Sequence, residues 1–358
     1  MHIGILGGGN ISDTHARAAR AIPGCEVVAF YGQNRDRTRQ LAAAHDAPVY
    51  DDLDAFLRHQ PMDIVAIGSP SGRHAEQGIA AARRGLHVLV EKPLDVSTTR
   101  ADALIAAADE AGVRLGVFFQ DRLRPASVQM KSIVDAGELG APVMISGRVK
   151  WYRPPEYYAS STWRGTWALD GGGALMNQAI HTVDLMLWMF GPVSRVFARA
   201  ATRVHPIEVE DTLVAALEFS NSALGTIEAA TSIFPGYTRR LELTGSNGTL
   251  ILDHDRLVSI DLRNSNRRIE PTSSDTSQSA SSPVVSDESA HRRVLEDFID
   301  SIRANRAPAC DGREGRRSVE LVEAMYLSAR TNQAVVPGGA QDTKAGHQDT
   351  KTQRHKAL

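Results

Sequence analysis

Two cysteines in 358 residues, Cys25 and Cys310, stand far apart, which excludes a disulfide framework and a cysteine-bound metal cluster. That scarcity suits a reducing compartment, so a cytoplasmic location is expected. No sign of charge dominates: 40 Lys and Arg face 42 Asp and Glu, for a formal net charge of −2. A nucleic-acid or anionic-membrane surface is therefore not expected. No apolar run is long enough to span a bilayer. The first strand pattern begins almost at Met1, which leaves no room for a signal or transit peptide. Aromatic residues are only 6% of the chain, yet three of its four tryptophans fall in one short stretch. What remains is ordinary globular composition, 42% hydrophobic and 23% charged, in a chain long enough for two domains.

The first third alternates strand and helix patterns: "HIGILG", "DTHARAARAI", "CEVVAFYG", "RDRTRQLAAAHD", "DIVAIGSP", "HAEQGIAAARRG", "HVLVEKP", "TTRADALIAAADEAG" and "RLGVFFQ". The strand runs are apolar on both faces, as a parallel sheet covered by helices requires. From about residue 141 strand-like runs follow one another, among them "PVMISGRVKWY", "DTLVAALEFS" and "LGTIEAATSI", with a hairpin signal at "TGSNGT". The expectation is an α/β chain. Residues 1–121 form a nucleotide-binding parallel-sheet domain, 122–337 an α+β domain on an open, mostly antiparallel sheet, and 338–358 a disordered tail. One long helix, "GALMNQAIHTVDLMLWMF", interrupts the second sheet and stops at Gly191 and Pro192. Ser-rich "TSSDTSQSASS" reads as a mobile loop. An open sheet with few helices leaves a face to cover, so a homo-oligomer, a dimer or tetramer, is expected.

"GILGGGNIS" sets Gly7, Gly9 and Ser12 in a G-x-G-x-x-S pattern between the first strand and the first helix. Gly7 permits the turn, and Gly9 lets a pyrophosphate approach the backbone at the positive helix end, near Asn10 and Ile11. The acid that commonly holds the adenosine ribose, about 20 residues on, is missing. Gly32 stands there, followed by Gln33, Asn34 and Arg35. Without that carboxylate a 2′-phosphate is not repelled and Arg35 could reach it. The cofactor is read as NAD(P), with NADP slightly favoured.

"VLVEKPL" ends a later strand of the same sheet, on the side where open α/β sheets bind ligands. Beside an oxidised nicotinamide, Lys92 would have a lowered pKa and could exchange a proton with a substrate hydroxyl. On the long helix Asn177, His181 and Asp184 are spaced four and three apart and share a face, on an otherwise apolar surface. In "KWYRPPEYYASSTWRGTW", flat rings and arginines suit sugar rings and their hydroxyl or carboxylate groups, with Trp163 and Arg164 as candidate substrate contacts. An arm packed on another subunit is the alternative for this segment. No metal ligand set is evident.

The ordered set "GGGNIS", "SPSGRH", "EKP" and "GGGALMNQAIHTVD" resembles the Gfo/Idh/MocA oxidoreductases, the family of glucose–fructose oxidoreductase and inositol 2-dehydrogenase, from Met1 to about Pro337. The resemblance implies a Rossmann domain, a nicotinamide cofactor and a sugar, cyclitol or related polyol as substrate. It implies that Lys92 is catalytic, that Glu91 and Pro93 help place the nicotinamide, and that the Lys92–Pro93 bond is cis. Ser69, Pro70 and His74 match the family's second cofactor segment, and Gln120 closes the cofactor set. The family pattern usually has Asp where this chain has Asn177, so His181 or Lys92 must take the proton while Asn177 orients the hydroxyl. Asp184 is left as either a holder of the imidazole or a structural group. The expected activity is hydride transfer between a secondary alcohol and NAD(P). Glycoside hydrolysis by oxidation–elimination and a non-catalytic nucleotide sensor are the alternatives.

Overall fold

The computed structural model describes residues 1–263, 265–269 and 288–339. The Ser-rich stretch and the tail from residue 340 lie outside the described residues. Six parallel strands form the first sheet: β1 (His2–Leu6), β2 (Glu26–Tyr31), β3 (Val49–Tyr50), β4 (Ile64–Ile67), β5 (His87–Val90) and β6 (Leu115–Val117). Their order is β3-β2-β1-β4-β5-β6. Their apolar residues are buried on both faces, among them Ile3, Ile5, Val65, Ile67, Val88 and Leu89. The crossovers run through α1 (Asn10–Arg20), α2 (Arg35–Ala44), α3 (Leu53–Leu57), α4 (His74–Ala82) and α5 (Thr98–Ala111). Local chemistry sets several of these boundaries. Asn34, Asp52 and Ser97 cap α2, α3 and α5 with side-chain oxygens, and Gly112 ends α5 in the left-handed region. Strand order reverses between β1 and β4, so a crevice opens at their carboxyl ends. The glycine turn and Lys92 both lie on that side.

After α6 (Pro125–Asp135) come β7 (Pro142–Lys150), the short α7 (Pro155–Ala159) and α8 (Ile180–Phe190). Strands β8 (Val193–Ala201), β9 (Thr212–Phe219), β10 (Leu224–Ala230), β11 (Arg240–Gly245), β12 (Gly248–Asp253) and β13 (Arg256–Leu262) complete the second sheet. It runs β13-β12-β11-β7-β10-β9-β8 and is antiparallel except where β7 pairs with β10. On its inner face Gly147 lets α8 approach, since a Cβ there would lie 2.8 Å from Thr182 Cγ2. On its outer face Met144, Phe197, Val214 and Leu224 are exposed. Among the described residues no helix is long and apolar enough to cross a membrane.

Several features differ from the sequence reading. The periodicity predicts one helix over 173–190, but residues Ala174–Ala179 form a π-helical turn before α8 begins. The short elements β3 and α3, and the helix α6, carry patterns too brief or too mixed to stand out. Of the last two helices, α10 (Gly312–Thr331) packs on β8 and α8, but α9 (Ser289–Arg303) does not stay with the second sheet. Val294, Leu295, Phe298 and Ile299 of α9 join Ile3, Ile5, Leu89 and Phe118 in a core cluster of the first sheet. Gly116 makes room for this: a Cβ there would sit 2.8 Å from the Phe298 ring. Replacing Phe298 by Ala should therefore destabilise the protein by about 3–5 kcal/mol, the usual cost of an aromatic cavity. Urea unfolding measures it, and a loss below 1 kcal/mol would show that α9 is not part of the cooperative core.

Candidate active site

The glycine turn is built as a cradle. Gly7, at φ 139°, donates its N–H to Tyr31 O at 2.7 Å, and a Cβ there would meet Gly68 O at 2.8 Å. Gly9 begins α1 without any side-chain cap, and a Cβ on it would project into open space. The first-turn N–H groups of α1, at Asn10 and Ile11, therefore look onto room for a ligand at the positive helix end. Ser12 Oγ beneath them is buried without a partner. These features fit a dinucleotide pyrophosphate. The missing ribose acid has a steric reason: Gly32 is buried, and a Cβ there would lie 2.5 Å from Thr38 Oγ1 and 2.9 Å from Gly8 N. Gln33, Asn34 and Arg35 are exposed, but Asn34 spends its side-chain oxygen capping α2 at Arg37 N, 3.1 Å away, and Arg35 lies 3.5 Å from Asp51. The guanidinium that reaches the head of α1 belongs to Arg37, which bonds Asn10. The sequence reading passed over Arg37, two residues beyond Arg35.

The second segment is fixed from behind. Ser69 Oγ donates to Gln77, and Pro70 precedes a short turn into α4. His74, expected among the cofactor contacts, is fully buried. Its Nδ1 is 2.8 Å from Pro93 O and its Nε2 is 3.0 Å from Ser69 O. It ties the two segments together rather than lining the crevice. Gln120, in the turn Gln120–Leu123 that follows β6, is buried with its Oε1 unpartnered.

Glu91 also differs from expectation. Its carboxylate faces α1 and α9, where Oε1 lies 2.9 Å from His15 Nε2 and 3.4 Å from His291 Nε2. Phe118 stacks on His15 at 4.3 Å. Burial pushes the Glu91 carboxyl up, but His15 and His291 outweigh it and hold the group well below the usual range. Burial lowers the pKa of His15, so its neutral ring donates from Nε2, and its Nδ1 faces no partner. The Lys92–Pro93 bond is cis.

Lys92 faces the other way. Its Nζ donates to the main-chain oxygen of Asn177 at 2.8 Å. Burial lowers its pKa, and the charges of Glu91, Asp170 and Asp121 only partly oppose this. The Asn177 amide donates to Asp170, and its oxygen accepts from Gln178 Nε2 at 3.1 Å. His181 is buried, edge-on to Phe119, with Nδ1 3.8 Å from Asp121. Burial brings its pKa down to about 3; Asp121 opposes the shift, and Lys92 and Arg239 add to it. Asp121 is held by Arg239 and, at 2.9 Å, by Arg124. Asp184 does not hold the imidazole. Its two oxygens take Arg122 Nε and Nη2 at 2.8 and 2.7 Å, and Ser318 lies 3.3 Å away. The carboxylates near Lys92 and His181 are thus Asp170, in a loop, and Asp121, in the short turn Gln120–Leu123, which no helical spacing could flag.

The aromatic segment folds against this centre. Gln178, next to Asn177, donates to Tyr157 OH at 3.0 Å and accepts from Arg153 Nη2 at 2.9 Å. Arg153 lies over Trp151, and Arg164 over Tyr157 at 4.4 Å and Trp163 at 5.3 Å. Trp151 and Tyr158 are buried in the core, so the segment is no free arm.

Comparison with known proteins agrees with this architecture. Residues 1–119 match an oxidoreductase family with an NAD-binding Rossmann fold, and residues 127–251 match the GFO/IDH/MocA C-terminal domain. The WlbA dehydrogenase of Bordetella pertussis, seen in complex with NADH and UDP-GlcNAcA, is 32% identical. The match covers 93% of this chain and 98% of that one, with a TM-score of 0.83. Myo-inositol 2-dehydrogenase of Thermotoga maritima is 26% identical over 94% of this chain and 98% of its own. D-xylose 1-dehydrogenase (NADP(+)) 2 of Haloferax volcanii is 27% identical over 94% and 99%.

The pocket around Glu91 has a consequence for stability that needs no substrate. Glu91 and His15 both have depressed pKa values in the fold. Each therefore contributes stability that is present above its unfolded pKa and lost as pH falls through the folded one. Acid lability should set in below about pH 6.5, as His15 begins to titrate. Glu91→Gln should cost roughly 1–3 kcal/mol at pH 7.5, and the gap to the unmodified protein should narrow below about pH 4.5. Urea unfolding at several pH values checks this, and a gap independent of pH would contradict the charged state assigned to Glu91.

Proposed function

Because the chain belongs to the Gfo/Idh/MocA oxidoreductase family, we propose that it oxidises a secondary alcohol of a sugar or cyclitol, with NAD(P) as hydride acceptor. One observation carries this reading: a half-buried lysine, held at the end of β5 by Asn177 O at 2.8 Å, beside a neutral buried histidine. When bound, the nicotinamide supplies the acceptor for the carbinol hydride. The first turn of α1 and Gly9 would hold its pyrophosphate. Lys92, made less basic by burial, takes the hydroxyl proton. His181 is a poor acceptor. With a pKa of about 3, protonating it at pH 7 costs on the order of 5 kcal/mol, so it serves as a neutral hydrogen-bonding partner of the substrate oxygen. Asn177 orients the same hydroxyl. This narrows the choice between Lys92 and His181 that the sequence leaves open.

Tyr157, Trp163 and Arg164 form the substrate wall. Among the described residues Arg164 forms no ion pair with a carboxylate, though its charge is felt by Asp170, and it suits an anionic group on the sugar. The UDP-sugar held by the Bordetella relative is a ligand of that kind. The cofactor preference leans to NADP, since position 32 has no room for an acid and Arg37 sits at the head of α1. The exposed outer face of the second sheet suits a second copy of the chain. No feature of the site favours the hydrolytic or sensing alternatives.

A panel of sugars, cyclitols and anionic sugars, run with both cofactors and read by nicotinamide absorbance, tests the reading. Lys92→Met should lower kcat by roughly 10²-fold or more, with cofactor affinity little changed. His181→Gln, which keeps a hydrogen-bonding group, should retain more activity than His181→Ala. Near-full turnover in Lys92→Met would refute the mechanism. Arg37→Ala should weaken NADP binding more than NAD binding, and equal losses would remove the case for NADP. Light scattering should give two or four times the mass of the chain; a monomer at micromolar concentration would leave the sheet face without its assigned partner.

A further inference from the structure

Asp170 lies between the aromatic segment and the π-helical turn, and it is 1% exposed. Its Oδ2 accepts the N–H of Gly165 at 2.8 Å, and its Oδ1 accepts the Asn177 amide. The main-chain oxygen of that same Asn177 holds Lys92 Nζ at 2.8 Å. One residue therefore touches both the lysine and the carboxylate. An amide can orient a hydroxyl but carries no charge, so the charge has to come from a neighbour.

We propose that Asp170 is the charge-bearing positioning residue of the proton-transfer site, acting on Lys92 from behind the Asn177 amide. The proposal rests on the dehydrogenase reading. In the step it serves, the substrate O–H bond breaks and an N–H bond forms on Lys92. The carbinol hydride passes to the nicotinamide, so the alcohol is oxidised to a ketone and NAD(P) is reduced. Lys92 goes from neutral amine to ammonium as this happens, and Asp170 is the nearby anion that stabilises the new charge. The division of labour replaces a single aspartate at position 177: Asn177 supplies direction and Asp170 supplies charge.

The surroundings of Asp170 agree with this. Lys92 faces it from the end of β5, Arg164 and Gly165 from its own loop, Asn177 from the π-helical turn, Tyr157 and Tyr158 from α7, and Tyr326 from α10. Burial raises its pKa to about 7, against the hydrogen bonds from Gly165 and Asn177 and the charge of Lys92. Above that range Asp170 is ionised, and the anion is already in place when Lys92 takes the substrate proton.

Asp170→Asn is the test, because its amide oxygen can still accept from Gly165 N–H and spare the loop. Removing the carboxylate takes away a charge that raises the pKa of Lys92. The rising limb of the kcat/KM profile for alcohol oxidation should therefore move to lower pH, and kcat should fall by roughly 10-fold or more. The exchange Asp170→Asn with Asn177→Asp puts one carboxylate back and should return the limb toward its original position. A limb that stays in place in Asp170→Asn would overturn the proposal even if kcat falls, since that outcome marks a merely structural role. The chain has six lysines, so 13C-lysine labelling with Lys92→Met for assignment reads the pKa of Lys92 without turnover. Asp170→Asn must lower that pKa, and an unchanged value overturns the proposal. A lowered value with no turnover of any compound in the panel would support the Asp170–Lys92 coupling and sink the dehydrogenase reading alone.

Discussion

A two-pronged ion pair between Arg122 and Asp184 fixes the two sheets to one another. Both side chains are buried, and both oxygens of the carboxylate are used. The third nitrogen of Arg122 reaches Glu314 of α10 at 3.0 Å. Such a pair is a weak source of net stability, but breaking it by removing one partner is costly, so it enforces a unique arrangement. The same turn carries Asp121, which binds Arg239, the residue before β11, and lies beside His181. One four-residue turn at the end of β6 thus meets α8 at two points three residues apart. Lys92 belongs to the first sheet and His181 to α8. This joint, together with the bond from Lys92 to Asn177 O, sets the distance between them.

The Glu-Lys-Pro run gains its sense from strand geometry. Successive residues of a strand face opposite sides. Glu91 goes to the helix side, among His15 and His291, and Lys92 goes to the crevice. Burial then acts on each group differently. It makes Lys92 less basic and His181 effectively untitratable near neutral pH, while Asp121 is kept charged by its arginines. One apolar enclosure, with partners placed selectively, gives neighbouring groups different proton affinities.

Much of this was legible in the chain itself. The alternation of strands and helices, the glycine turn and the strand-end lysine follow from short-range patterns that burial on both faces imposes. The charged groups around them were not legible in the same way. Asp170 comes from a loop and Asp121 from a single short turn, where no periodicity marks a side chain's direction. Asp184 has the right spacing for His181 and a different partner, because α8 is buried all round and a shared stripe does not say what faces it. The π-helical turn also shifts Asn177 relative to a regular helix. Gly32 shows the limit most plainly: the sequence reveals a missing acid, and only the packing of Thr38 and Gly8 reveals missing space.

The return of α9 to the first sheet has a consequence for how the protein comes into being. A ribosome releases β1 through β6 long before it reaches Phe298. Until then Leu89, Phe118 and the bare backbone at Gly116 have no cover, and Glu91 lacks one of its two histidines. The nucleotide-binding half cannot finish as an autonomous module. It waits for nearly the whole chain, and the contacts that complete it span almost the full length of the sequence, a topology that slows folding. A gene fragment ending after the sixth strand would encode an unfinished surface, and α9 is as much a part of the cofactor's half as its first strand.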